Sequence, residues 1–142
     1  MLKLLIPVDG SVHARHAIEA AARLQREGAA VQTVLVHVRE PAVYYGELMP
    51  MNLEALEQAQ RDHQAHTLGD AAVHAAACGL EGVRQEAALG PIAQEIVRVA
   101  NEHGADQIVM GTHGRGSLGG LFMGSVAQRV VQLASMPVLL VK

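Results

Sequence analysis

Asp106-Gln-Ile-Val-Met-Gly-Thr-His-Gly-Arg-Gly-Ser-Leu-Gly-Gly-Leu-Phe-Met-Gly-Ser125 is the stretch whose reading decides the fold. Ile108-Val109-Met110 is an unbroken apolar run ended by a glycine, the pattern of a short buried strand. The fourteen residues after Gly111 hold five more glycines, at 114, 116, 119, 120 and 124. Ser125-Val-Ala-Gln128 then opens an apolar segment with the Ser-x-x-Gln spacing of a helix capping box. A glycine-dense loop between a strand end and a helix start brings bare backbone N–H groups close to an anion. Glycine permits φ > 0 and removes the Cβ that would hold a ligand away. The helix start adds unpaired donors and the positive end of its dipole. No acidic residue follows Asp106, while His113, Arg115, Arg129 and Lys142 can carry positive charge. The stretch predicts a phosphate site.

Two familiar phosphate motifs do not account for it. A Walker A loop needs Gly-Lys-Ser/Thr before its helix, and Gly124-Ser125 has no lysine. Gly114-Arg-Gly116-Ser-Leu-Gly119 spells G-x-G-x-x-G, but the helix is expected only near Ser125 and no acid follows. The match is accidental.

Outward from this stretch, apolar strands alternate with helical segments. Leu2 to Val8 is a near-continuous apolar strand, as expected when both sheet faces are covered. Asp9-Gly10-Ser11 turns into a helix capped by Ser11, with Ala14, Ala17, Ile18, Ala21 and Leu24 on one face and Gly28 as its stop. Val31 to Val38 is a second strand. The connection from Arg39 to Asn52 is long enough to be mobile or functional. Leu53 to about Cys78 is helical, with a bend expected at Gly69. Val83 to Leu89 is a third strand. Gly90-Pro91 starts a helix with Pro in the first position, Ile92, Ile96, Val97 and Ala100 inward, and Gly104 at its end. After the glycine loop come a helix from Ser125 to about Ser135 and a fifth strand from Pro137 to Val141.

This alternation predicts an α/β fold: a single doubly wound five-stranded parallel sheet, order 3-2-1-4-5, with helices on both faces. Strands one and four are then neighbours at the switch point, and ligands bind outside the carboxyl ends there. Val8-Asp9-Gly10 and Met110-Gly111, a hundred residues apart, should face one pocket.

Composition bounds the function. At 142 residues the chain reads as one domain, able to bury about 68–70% of its unfolded surface. With no Trp, two Tyr and one Phe, it lacks the stacking platforms of single-strand nucleic-acid binders. A net charge of −3 argues against a phosphate-backbone grip. The one cysteine, Cys78, excludes an intrachain disulfide and fits a reducing compartment. There is no signal-peptide core and no membrane-length apolar run. The expected location is the cytoplasm.

Gly111-x2-Gly114-x9-Gly124-Ser125, together with Pro7-Val8-Asp9-Gly10-Ser11, makes the chain resemble the universal stress protein family. The resemblance runs from Leu4-Leu5-Ile6-Pro7-Val8-Asp9 to Pro137-Val138-Leu139-Leu140-Val141, and the spaced glycines are those of the family's ATP-binding branch. It implies a stress-response regulatory protein that binds ATP or AMP, with or without Mg2+. It also implies a homodimer joined antiparallel through the C-terminal strand. Asp9 would contact ribose, and Pro7, Val8 and Val38 would flank adenine. Met110 and Gly111 would line the pocket floor. His113, Gly114, Arg115, Gly124, Ser125, Val126 and Ala127 would surround the phosphates, mostly through backbone. The residues alone leave Asp9 open between a ribose contact, a water-mediated magnesium contact and a plain turn residue.

Eight histidines raise the question of metal. His13/His16 and His63/His66 each stand three apart on a helix, but no Cys/His/Asp cluster completes either pair. A solvated helical face is the expectation for both. His37, inside an apolar strand, reads as a hydrogen-bonded core histidine. No paired carboxylates and no Ser-His-Asp set suggest catalysis, so slow ATP hydrolysis at the same site is the enzyme alternative. A dimeric interaction module without ligand is the other.

Overall fold

The computed structural model describes residues 1–41, 52–114 and 123–142. Arg115, expected at the phosphates, the glycines 116, 119 and 120, and most of the connection from 39 to 52 lie outside these residues. Nine elements follow in order: β1 (Leu2–Pro7), α1 (Val12–Arg26), β2 (Val31–Arg39), α2 (Leu53–Ala77), β3 (Val83–Leu89), α3 (Ile92–Glu102), β4 (Gln107–Gly111), α4 (Ser125–Leu133) and β5 (Val138–Val141). The five strands form one parallel sheet in the order β3-β2-β1-β4-β5. Leu2 pairs with Val31 and Pro7 with Val36, while Leu5 pairs with Ile108 across the switch point.

Period-two alternation sends neighbouring strand residues to opposite faces, so β1 feeds two cores. Leu4 and Ile6 join Ala14, Ala17, Ile18 and Ala21 of α1, with Leu35 of β2 and Leu68 of α2. Leu5 goes the other way, against Ile96, Val99 and Ala100 of α3 and Ala127 and Val130 of α4. Both faces are covered, which is why β1 reads as an almost continuous apolar run. Among the described residues no helix is long and apolar enough to cross a membrane.

Several local expectations change. The cap of α4 is Gly124, in an extended conformation (φ −61°, ψ 158°), and no side chain caps the helix. Ser125 is the first helical residue, and Gln128 Nε2 donates to the Met123 carbonyl (2.7 Å) instead of closing a capping box. The helix ends at Leu133, short of Ser135. Pro91 is the cap of α3 rather than its first residue, its carbonyl accepting the Glu95 N–H. Ala93 and Val99 are buried on α3 where Val97 was expected, and Val97 packs on the flank. The helix α2 runs unbroken through Gly69 for 25 residues. Its Gln64 is buried and donates to two strand carbonyls, His37 (2.8 Å) and Ala88 (2.9 Å), tying helix to sheet.

Candidate functional site

The carboxyl ends of β1, β2 and β4 open into a cleft of about 410 Å3, within the size range of small-molecule sites. Its first wall is Pro7-Val8-Asp9 at the end of β1. The Val8 N–H donates to the Val36 carbonyl (2.8 Å), holding that end against β2. Asp9 Oδ1 accepts the Ser11 N–H (2.9 Å), and Ser11 Oγ in turn accepts the Ala14 N–H (3.2 Å). This aspartate therefore shapes the turn into α1 and also lines the cleft, where it is the one carboxylate among the lining residues. Gly10 between them takes φ 84°, a conformation that favours glycine.

The second wall is β4 and the start of α4. Met110, Gly111, His113, Gly114, Gly124, Ser125, Val126 and Ala127 all line the cleft. The Gly124 N–H donates to the Thr112 carbonyl (2.7 Å), so the two ends of the glycine loop are pinned together. None of Gly111, Gly114 and Gly124 has positive φ. Glycine is needed at these positions for close approach instead. A Cβ on Gly111 would stand 2.6 Å from the His13 Cβ, and one on Gly114 would stand 2.7 Å from Asp9 Oδ2. A Cβ on Gly124 would meet His113 Cα and the Thr112 carbonyl oxygen at 3.3 Å. The glycines thus let α1, the β1 turn and the loop pack without side chains between them.

The apolar end of the cleft is made by Val8, Val36, Val38, Ile92, Ile96, Met110 and Ala127, largely buried side chains without hydrogen-bonding groups. The polar end has Asp9, Ser11, His113 and Ser125 together with the opening backbone of α4. The Ser125 side chain is exposed and caps nothing. A flat apolar group with a polar, anionic extension fits this division.

Twelve of the thirteen expected residues are brought together here, and the thirteenth, Arg115, lies outside the described residues. The sequence places Ser11, Ala14, Ile92 and Ile96 at caps and on helix faces and Val36 in the second strand, and none of these five lining residues is expected in the site. A usable signal existed, because helices in such a sheet begin at the carboxyl ends, so their first-turn apolar residues border the crevice.

The histidines sort differently from expectation. His13 and His16 share a face, as their spacing suggests, but each has a buried Nδ1 without a partner instead of a solvated ring. His66 pairs with Asp70 on the exposed side of α2, and His63 stands edge-on to His37 at 6.4 Å. His37 is only half-buried, and its Nδ1 has no hydrogen-bond partner. Burial holds His37 below the ordinary imidazole range, His63 pushes it the same way, and Asp9 opposes them.

The profile of the universal stress protein family matches residues 1–142. A universal stress protein of Thermus aquaticus is 41% identical over 98% of this chain and 97% of its own length. One from Bacillus subtilis is 32% identical over 99% of this chain and 98% of its own. A solved structure of the Archaeoglobus fulgidus universal stress protein in complex with dAMP superposes with a TM-score of 0.68, at 25% identity, covering 100% of this chain and 98% of that one. With a whole-length profile match and the glycine-lined crevice in place, the chain belongs to the universal stress protein family.

Proposed function

We propose that this protein binds ATP in the cleft at the β1/β4 switch point and acts as a stress-response regulator of the family. The observation that carries the reading is the composite wall: an apolar end fit for adenine, Asp9 beside it, and a loop whose glycines bare the backbone where the phosphates would lie. The dAMP complex of the Archaeoglobus relative supports an adenine nucleotide as the ligand class. In this reading Pro7, Val8 and Val38 flank the base and Met110 and Gly111 form the floor. Backbone from His113 and Gly114, and from Gly124 to Ala127, meets the phosphates. Any magnesium ion takes its ligands from phosphate oxygens and water, and no side chain is assigned to it.

The protein works as a cytoplasmic homodimer in the same proposal. Among the described residues β5 is an edge of the sheet, paired with β4 alone, and Leu139 on it is exposed. An apolar edge with open N–H and C=O groups invites pairing with a second copy.

Mass spectrometry of protein purified gently under native conditions tests the ligand. ATP or AMP should co-purify with the folded chain. Protein that emerges nucleotide-free and ignores added ATP would favour a ligand-free interaction module, and steady release of phosphate would favour a slow ATPase.

A further inference from the structure

Three imidazoles stand in a row behind the cleft. His113 lines the cleft where the loop leaves β4. The His13 ring, on the first turn of α1, lies 5.5 Å from it between centroids, tilted by 46°. The His16 ring follows, 6.4 Å from His13 and edge-on to it. Each ring has one buried nitrogen with no hydrogen-bond partner among the described residues: Nε2 of His113, and Nδ1 of His13 and of His16. His113 Nδ1 shares a hydrogen bond with Thr112 Oγ1 (3.0 Å). Gly111 permits the approach, because any side chain there would collide with His13.

Buried polar atoms without partners are rare in folded proteins, and three in one cluster need a cause. Among the described residues no three side chains are placed to hold a metal ion. Imidazole takes up a proton near neutrality, and a bound phosphate oxygen would accept the N–H so gained. Few other charges surround the row. The β1–α1 turn contributes Asp9, whose Oδ1 is held by the Ser11 N–H. α1 adds Arg15 and, three residues past His16, Glu19, both exposed, and Glu19 pairs with His74 of α2. β5 ends beside the loop, the Val141 carbonyl accepting the Thr112 N–H, with Lys142 next in the chain. The first turn of α4 has no acidic residue.

We infer that the row His113–His13–His16 takes up a proton from solvent when a phosphate-bearing ligand enters the cleft, linking nucleotide binding to pH. The inference rests on the nucleotide reading above. Phosphate beside His113 favours the charged ring, and the N–H gained is a donor for a phosphate oxygen. Neighbouring rings repel a second charge, so the row holds one proton in the complex. Affinity for ATP therefore rises as pH falls from 8 toward 6, by roughly tenfold per pH unit at most for a single linked proton.

Calorimetric titration with ATP at pH 7.5, in buffers of different ionisation enthalpy, counts the protons. The nucleotide's own phosphate proton is common to wild type and variants, so the difference between them reports the row. The expected result for wild type is a heat that varies with the buffer, corresponding to uptake of up to about one proton per ATP. That variation should be lost or nearly lost in His113→Gln. It should shrink in His13→Gln, a residue outside the cleft lining whose variant still binds ATP. Wild type that binds ATP with a buffer-independent heat overturns the inference, as does an undiminished buffer dependence in His113→Gln. Should His113→Gln fail to fold by circular dichroism, an undiminished dependence in His13→Gln overturns it equally. Wild type that binds no ATP in any buffer overturns the nucleotide reading, and this inference with it.

Discussion

Gly124 closes the glycine loop and opens α4 with the same backbone. Its N–H donates to the Thr112 carbonyl and its carbonyl accepts the Gln128 N–H. Its φ of −61° is open to any residue, so what favours glycine here is the tight contact a Cβ would make. The obstructing atoms, His113 Cα and the Thr112 carbonyl oxygen, are backbone and cannot turn aside. Of the two reasons the sequence suggests for this glycine, a positive φ and a missing Cβ, only the second operates. Gly124→Val should therefore displace the loop and reduce ATP affinity by at least about tenfold, roughly the effect of 1.4 kcal/mol. Arg115→Ala should change binding less. His37 gives a second prediction at this scale. Its depressed pKa means the unfolded chain binds the proton more readily than the folded one. Stability from keeping His37 neutral is thus fully present above the ordinary imidazole value of about 6.5 and is lost as pH falls toward the lower folded value. Thermal melts between pH 7.5 and 5 should show a steeper decline for wild type than for His37→Gln; parallel curves would refute the assignment.

At the scale of elements, boundaries set by backbone contacts were the hardest to read. Gly28 and Gly104 stop their helices as their sequence positions suggest, with φ of 103° and 61°. The caps at Pro91 and Gly124 depend on what the preceding loop does with its carbonyls, and no spacing rule carries that. Gln64 is the sharpest example. On α2 it looks like one more polar residue on a polar helix, whereas in the fold it gives the His37 and Ala88 carbonyls of the β2/β3 ladder an added side-chain donor. Gln64→Leu should remove both of these helix-to-sheet hydrogen bonds, at about 0.5–1.5 kcal/mol each. The melting temperature should drop by several degrees with the fold retained, as read by circular dichroism. An unchanged melting temperature would mean that the ladder alone satisfies these carbonyls. Ser11→Ala, which removes the cap bond to Ala14, should cost about 1 kcal/mol.

At the scale of the molecule, strand order, parallel direction and the two-sided core follow from the alternation of apolar strands with amphipathic helices, and they were legible. So was the meeting of Val8-Asp9 with Met110-Gly111 at one cleft, because a parallel sheet with this order has one switch point. The imidazole row was not legible: His13 and His113 are a hundred residues apart, and nothing in their spacing shows that α1 rests on Gly111. The open edge of β5 carries its own prediction. Leu139→Lys should convert a dimer to a monomer in light scattering, while wild type that is already monomeric at tens of micromolar would remove the dimer proposal.

The most direct measurement of the central claim is thermal denaturation with and without ATP. A ligand that binds only the folded state adds roughly 2.7 kcal/mol at a hundredfold over its dissociation constant. For a chain of this size that is a rise of several degrees. Wild type should show it with ATP, to a smaller extent with AMP, and Gly124→Val should not, while remaining folded. A wild-type melting temperature unmoved by millimolar ATP, with and without magnesium, would contradict the account.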